Sequence, residues 1–245
     1  MLILRGSRLR FGVPQAGART YLSIAGGIEV PPVLGSRSTH WASDTGGLQG
    51  KPLKPGDILH GGKPGPLINQ HVGTGLPIPL RPRYERTVSL RIIPGPQDDF
   101  FAKHSIKALT ETTYTVSPQS DRMGYRLAGP KIARKDSDQF ISDGTAMGAL
   151  QVPPDGQPIL LMADRQTTGG YPKIAVVISA DLLLAAQLAP GDHIRFVLCT
   201  VAQAQRLVRM QRAQLGAELP PCDGQSQQMV PLSHHESISI LRVSK

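Results

Sequence analysis

Short runs of apolar or alternating residues, each closed by glycine or proline, set the rhythm of this chain. Such runs fall at 8–12, 19–25, 87–93, 112–117, 148–152, 159–164, 173–179 and 193–200. They are five to eight residues long and rich in Val, Ile, Leu, Thr and Tyr, so they predict strands. Helical periodicity is confined to three places. Residues 97–109 carry Phe100, Phe101, His104 and Ala108 at helical spacing, and 179–188 follow Ser179, a candidate N-cap. The third helix starts at Thr200, where Gln203 completes a capping-box pattern, and runs to about Leu215 with Val201, Ala204, Leu207, Val208 and Leu215 on one face. The pattern predicts a mainly β protein with a few short helices.

Composition narrows the picture. Glycine (26) and proline (22) make up about a fifth of the 245 residues, which disfavours helical bundles and coiled coils. The Pro-rich stretch 76–83 reads as a stiff connector, placing a domain boundary near residue 80. That divides the chain into 1–80, 81–218 and an irregular, polar 219–245. Val-Pro-Pro (Val30, Val152) and Pro-Gly-Asp (Pro55, Pro190) each occur on both sides of the boundary, a hint of duplication.

The net charge of +9 admits acidic partners, but the basic residues are scattered and aromatic residues are only 4%. Both features argue against nucleic acid, whose single-stranded readers need stacking platforms. No apolar run reaches the roughly 18 residues of a membrane-spanning helix. The first residues lack a signal-type apolar core, so a cytoplasmic location is expected. Cys199 and Cys222 have no metal-type spacing, and His234-His235 falls in the polar tail.

Chemistry-bearing residues concentrate at 163–173, Ala-Asp-Arg-Gln-Thr-Thr-Gly-Gly-Tyr-Pro-Lys, between two apolar runs. Paired glycines permit close backbone approach, Gln166, Thr167 and Thr168 both donate and accept, and Lys173 adds a fixed charge. Such a loop suits a carboxylate, a phosphate or a planar amide, or simply a hairpin that satisfies its own hydroxyls. A second cluster is 120–127, where Arg122 offers bidentate geometry toward a carboxylate and Tyr125 lies nearby. A third, 35–39, sets Arg37 among Ser36, Ser38 and Thr39, yet has no lysine where a Walker loop needs one. Neither a Gly-x-Ser-x-Gly elbow nor a His-Glu-x-x-His metal motif occurs.

These blocks resemble the allophanate hydrolase subunit 2 family, also called the biotin-dependent carboxyltransferase family, which includes the 5-oxoprolinase C subunits and KipA-like proteins. The similarity lies in Asp164 to Ala175 with Gln151 to Pro158 before it, in Arg122 to Leu127, in Gly95-Pro96-Gln97 with Asp99-Phe100, and in Gly17 to Leu22 and Ala25 to Thr39. It extends over about residues 8–215. The resemblance implies two cyclophilin-like β-barrel domains. Family members usually have a further Gly- and Asp-rich segment before Leu9-Arg10-Phe11-Gly12, so the first barrel is expected to be incomplete, with an open edge and uncovered apolar surface. Poor solubility or obligate pairing with another chain would follow.

The same resemblance implies a component of an ATP-dependent 5-oxoprolinase that opens the lactam of 5-oxo-L-proline to L-glutamate, acting with the 5-oxoprolinase subunits A and B. It would have no metal, and ATP would be bound with or by a partner chain. On that reading Lys173, Arg122 and Asp164 are the catalytic candidates, with Lys173 and Arg122 as anion contacts. Tyr125, Gln166, Thr167 and Thr168 would hydrogen-bond amide or carboxylate, Gly169 and Gly170 would give close backbone approach, and Arg37 and Ser38 would complete the substrate set. The alternatives within the family are a urea carboxylase-like carboxyltransferase module, with biotin carried on another chain because no Met-Lys-Met occurs here, and a non-enzymatic KipA-like protein that neutralises a kinase inhibitor.

Overall fold

In the strand at 87–94 the side chains alternate: Val88, Leu90 and Ile92 are buried while Thr87 and Ser89 are exposed. One face therefore seeks a core, and the computed structural model shows how it finds one. The structure describes residues 8–66, 75–78, 81–102, 104–135 and 141–218. The described residues divide into two units, one formed by 8–11, 19–66 and 75–78, the other by 12–18 and the described residues from 81 onward.

The second unit is a closed barrel. Its strands are β1 (Thr87–Pro94), β2 (Thr113–Val116), β3 (Gly124–Ala128), β5 (Ala149–Gln151), β6 (Ile159–Leu161), β8 (Lys173–Val177) and β9 (His193–Leu198), in the order β1-β8-β5-β6-β3-β2-β9. A separate two-residue ladder joins β4 (Asp143–Gly144) to β7 (Thr168–Gly169). Closure comes from a parallel pairing of β1 with β9, in register from Thr87↔His193 to Ile92↔Leu198. Closing the sheet removes the unpaired edges that an open sheet would expose.

Inside lie Leu90, Ile92, Phe101, Tyr114, Leu150, Ile174, Ile194 and Phe196, all at 1% exposure or less. Each such side chain contributes roughly 1.5–3 kcal/mol by leaving water. The rings of Tyr114 and Phe196 meet in a tilted arrangement with centroids 6.0 Å apart, and the Tyr114 hydroxyl donates to the Pro130 carbonyl at 3.0 Å. Burial of a phenol is thus satisfied rather than penalised. The mainly β class expected from the sequence is present, and the second unit is a closed barrel, in keeping with the resemblance.

Several elements differ from the sequence expectations. The expected helix at 97–109 is split into a 3-10 turn, Asp98–Phe100, and helix α1, Ser105–Glu111. Phe101 turns extended, bridges to Arg134 and is buried, so tertiary pairing overrides the local helical spacing. Ser179 makes no side-chain cap; it opens a 3-10 turn that leads into the short α2, Leu182–Ala185.

Helix α3, Val201–Glu218, starts as expected: Gln203 N–H donates to Thr200 Oγ1 at 3.2 Å, and Thr200 N–H to Gln203 Oε1 at 2.8 Å. Its anticipated inward face is only partly covered. Ala204, Leu207 and Val208 are half-buried, while Val201 and Leu215 are 56% and 39% exposed. No described helix is long and apolar enough to cross a membrane.

In the first unit the runs 8–12 and 19–25 do not form strands. Its pairings among the described residues are isolated bridges, Ile28↔Gly61, Val33↔Ser36 and His40↔Thr45. A strand forms only where a neighbouring strand satisfies its backbone, and neither run joins a ladder among the described residues. Tyr21, Ile24, Leu34, Trp41 and Ile58 are all exposed there. The expected tail at 219–245, with Cys222 and His234-His235, lies outside the described residues, as do two residues of the connector at 76–83.

Candidate functional site

The loop that leaves β6 and returns as β8 is anchored by a register irregularity. Leu150 of β5 faces Ala175, but the next residue, Gln151, faces Lys173 rather than Ile174. The slip places a buried amide and a buried lysine side by side, a common use of such irregularities next to functional sites. Gln151 is 1% exposed; its Nε2 donates to the Tyr171 carbonyl at 3.3 Å and its Oε1 accepts from Gln166 Nε2 at 3.2 Å. Two side-chain amides therefore hold both limbs of the loop.

Gly169 lies against this amide pair. A Cβ there would come within 2.4 Å of Gln151 Nε2 and 3.1 Å of both Gln166 Nε2 and Thr145 Cγ2. Gly170 differs, because a Cβ would meet only Ser142 Oγ, at an ordinary 3.5 Å. Close approach thus explains the first glycine and not the second. Thr145 secures the opposite strand: its N–H donates to the Thr167 carbonyl at 2.9 Å and its hydroxyl to the Gln166 carbonyl. Thr167 and Thr168 themselves are exposed.

Lys173 has a side chain only 3% exposed, and its Nζ reaches the Asp143 carboxylate at 3.0 Å. Gln97 links the two. Its Nε2 donates to Asp143 Oδ2 at 3.0 Å while its Oε1 accepts the Lys173 backbone N–H at 3.2 Å. The Lys173 ammonium, followed by the Gly144 N–H and Gln97, holds the Asp143 carboxyl below its ordinary range. Gly95 lets this corner close, since its N–H donates to Ile174 O at 2.9 Å and a Cβ would strike the Lys173 carbonyl at 2.1 Å.

Arg122 and Asp164 meet at the other end of the loop. The guanidinium binds the carboxylate through Nε and Nη2 at 2.6 and 2.9 Å, with both side chains partly exposed. The Asp164 N–H donates to the Arg122 carbonyl at 2.9 Å, so the two residues are also joined through backbone. This fork-to-fork pair clasps β3 to the loop. Tyr125 is buried at 3% in the core cluster, pointing inward from β3. Arg37 and Ser38 belong to the first unit, where Arg37 Nε donates to the Val30 carbonyl at 3.0 Å and the Ser38 N–H to Ser36 Oγ at 3.1 Å.

The second unit therefore brings Lys173 together with Gln166 and Gly169 through Gln151, and Arg122 together with Asp164. Asp143, Gln97, Thr145 and Gln151 enter the site without standing among the sequence candidates. Gln151 carries a signal, a lone polar side chain at the end of an apolar run; Asp143 carries none beyond an Asp-Gly turn. Shallow grooves of about 400 Å3 lie elsewhere, along β9 and α3, with Leu198, Cys199 and Gln203 in both linings. Their lining is mostly apolar and holds none of the amide and ammonium groups just described. No cluster of metal-ligating side chains occurs among the described residues.

Comparison with known proteins shows the family. The carboxyltransferase domain, subdomain A and B, matches residues 1–198. The chain is 43% identical over 199 residues to the 5-oxoprolinase C subunit of Escherichia coli K12, covering 81% of this chain and 62% of that protein. It is 34% identical over 227 residues to the urea amidolyase of Lachancea kluyveri, covering 85% of this chain and 12% of that protein. The crystal structure of the Kluyveromyces lactis urea amidolyase superposes with a TM-score of 0.74 at 29% identity, over 84% of this chain and 14% of that one. The chain spans about three fifths of the length of the 5-oxoprolinase C subunits it matches. With the barrel and the loop motifs in agreement, the chain belongs to the carboxyltransferase domain family, subdomains A and B.

Proposed function

We propose that this chain acts as the C component of an ATP-dependent 5-oxoprolinase that converts 5-oxo-L-proline to L-glutamate together with subunits A and B. One observation carries the reading: a buried ammonium, Lys173, lies beside a lattice of side-chain amides, Gln97, Gln151 and Gln166. A carboxylate-bearing lactam calls for a cation matched to its carboxylate and for amide donors and acceptors matched to its ring amide. Identity to the 5-oxoprolinase C subunits of two bacteria supports it.

In the overall reaction a phosphoryl group passes from ATP to the lactam oxygen, releasing ADP. Water then adds to the activated carbon, the ring C–N bond breaks with the nitrogen taking up a proton, and a second water hydrolyses the resulting acyl phosphate to release phosphate and L-glutamate. The chain contains no Walker loop, and this reading assigns ATP to a site shared with or held by a partner chain. Lys173 is the anion contact and Gln166 the amide contact. Arg122 and Asp164, already paired to each other, hold the loop rather than the substrate. We place the assembly in the cytoplasm, where its ATP would be supplied.

The test mixes this chain with subunits A and B and follows ADP release. Turnover that depends on 5-oxoproline and on all three components is expected, and a Lys173→Met variant should lower it at least tenfold. No turnover above the background of subunits A and B alone would sink the reading. Similarity to urea amidolyases favours a second one, a carboxyltransferase module that moves a carboxyl group from biotin carried on another chain to an amide nitrogen. Biotin-dependent carboxylation of urea by the reconstituted components would establish that instead.

A further inference from the structure

The ion pair at the centre of the site is lopsided. The Lys173 side chain is 3% exposed, whereas that of Asp143 is 54% exposed. An anion arriving from solvent therefore reaches the ammonium where the Asp143 carboxylate already sits. Three donors hold that carboxylate: Lys173 Nζ and Gln97 Nε2 on Oδ2, each at 3.0 Å, and the Gly144 N–H on Oδ1 at 2.7 Å. Its backbone belongs to a short ladder of its own. β4 lies outside the barrel sheet and pairs with β7 through just Asp143↔Gly169 and Gly144↔Thr168. The adjoining Thr145 adds two bonds to the 166–167 backbone, so what can leave the ammonium is the half-exposed Asp143 side chain, by rotation, with β4 left in place.

We propose that Asp143 is a resident stand-in for a ligand carboxylate: a monocarboxylate displaces it and takes over the Lys173 ammonium and the Gln97 amide. This rests on the reading of the site as one for a carboxylate-bearing lactam. Exchange keeps a negative charge beside the buried ammonium throughout, which avoids the heavy penalty of an unpaired buried charge. It also selects ligands. A carboxylate can replace Asp143 on equal electrostatic terms, whereas a neutral amide cannot, so Asp143 would exclude urea-like molecules while admitting 5-oxoproline. Affinity then comes from the rest of the ligand, because the charge contribution nearly cancels.

Asp143→Asn keeps the shape and an acceptor for Lys173 but removes the competing charge. In the assembly with subunits A and B, the variant should show a KM for 5-oxoproline lowered about fivefold, the scale of one partly exposed ion pair, with kcat within about twofold. A raised KM or a lost kcat in Asp143→Asn would overturn the proposal, since both mean that Asp143 serves the substrate directly.

Acetate alone provides a readout independent of turnover. At matched ionic strength it should raise the melting temperature of the full-length Asp143→Asn chain at lower concentration than that of the unaltered chain. Equal response, or none in either, overturns the exchange. Acetate protection of the variant without any 5-oxoproline turnover would uphold the exchange and reject the substrate assignment. Should Asp143→Asn fail to fold in its absence, recovery of a cooperative melt on adding acetate supports the proposal, and failure to recover refutes it.

Discussion

Two adjacent glycines in one loop should respond oppositely to the same added methyl group. In Gly169→Ala the new Cβ would lie 2.4 Å from Gln151 Nε2, at least 0.6 Å inside the nearest approach that real Cβ atoms make. Gln151 is 1% exposed and cannot swing into solvent. Its amide must therefore shift within the core, at the expense of the bonds to Tyr171 O and from Gln166 Nε2. Leaving one or two buried amide groups unsatisfied costs about 1–3 kcal/mol each. Some strain can be relieved by the loop, so a total of about 2–4 kcal/mol is expected.

Gly170→Ala meets only Ser142 Oγ at 3.5 Å and has no left-handed φ. It should be neutral, or stabilising by up to about 0.5–1 kcal/mol through the stiffer unfolded chain. Urea denaturation of both variants, monitored by far-ultraviolet circular dichroism with equal m-values, measures the difference directly. If Gly169→Ala is as stable as Gly170→Ala, the amide pair does not pin this loop and the account of the site is wrong. Double substitution with Gln151→Ala sharpens the result, because removing the struck amide should erase most of the additional penalty from Gly169→Ala.

Other expectations follow from the same geometry. The Asp143 carboxyl is held below its ordinary range by Lys173, so the charged form favours the folded state. That contribution is complete above the unfolded carboxylate value and is lost as pH falls through the lower folded one; NMR titration of the Asp143 carboxyl carbon should show a midpoint below 3.8, moving up in Lys173→Met. Asp181, at 1% exposure, accepts the Arg91 backbone N–H at 2.7 Å and its Nε at 2.9 Å. Asp181→Ala should cost about 2–3 kcal/mol in chemical denaturation, below the figure for a fully buried pair because Arg91 is partly exposed. Arg122→Lys replaces a two-point contact with Asp164 by a single one, and with both side chains partly exposed the loss should be about 0.5–1 kcal/mol by the same measurement. Thr200→Ala removes the hydroxyl that caps α3, and amide exchange at the first turn should accelerate about fivefold, the equivalent of ~1 kcal/mol.

The apolar runs alone placed most of the barrel. β1, β2, β5, β6, β8 and β9 fall where short, Gly- or Pro-bounded stretches of Val, Ile, Leu and Tyr predict them, because period-two burial leaves its mark in the residues themselves. The capping box at Thr200 and Gln203 is equally legible, since its partners are three positions apart. Residues 124–128, most of which stand out along the chain as part of the cluster at 120–127 and not as a strand, form β3, because Arg126 interrupts an otherwise apolar segment that gains strand structure from pairing with β6. For the runs at 8–12 and 19–25 the reverse holds: strand-like composition alone gives no strand, because pairing and burial decide it.

The candidate site divides along the same line. The loop at 163–173 announces itself by its residue types, and the sequence also supplies Arg122. Only tertiary structure decides who meets whom. Gln97, Asp143 and Lys173 are separated by 46 and 30 residues yet share hydrogen bonds, and a one-residue slip between β5 and β8 turns Gln151 toward the loop. Arg122, which reads as an anion contact along the chain, is bound by Asp164 in space. Residue type is a local property and survives in the sequence, whereas the pairing of charges and amides depends on strand register and barrel closure, which no short stretch of residues encodes.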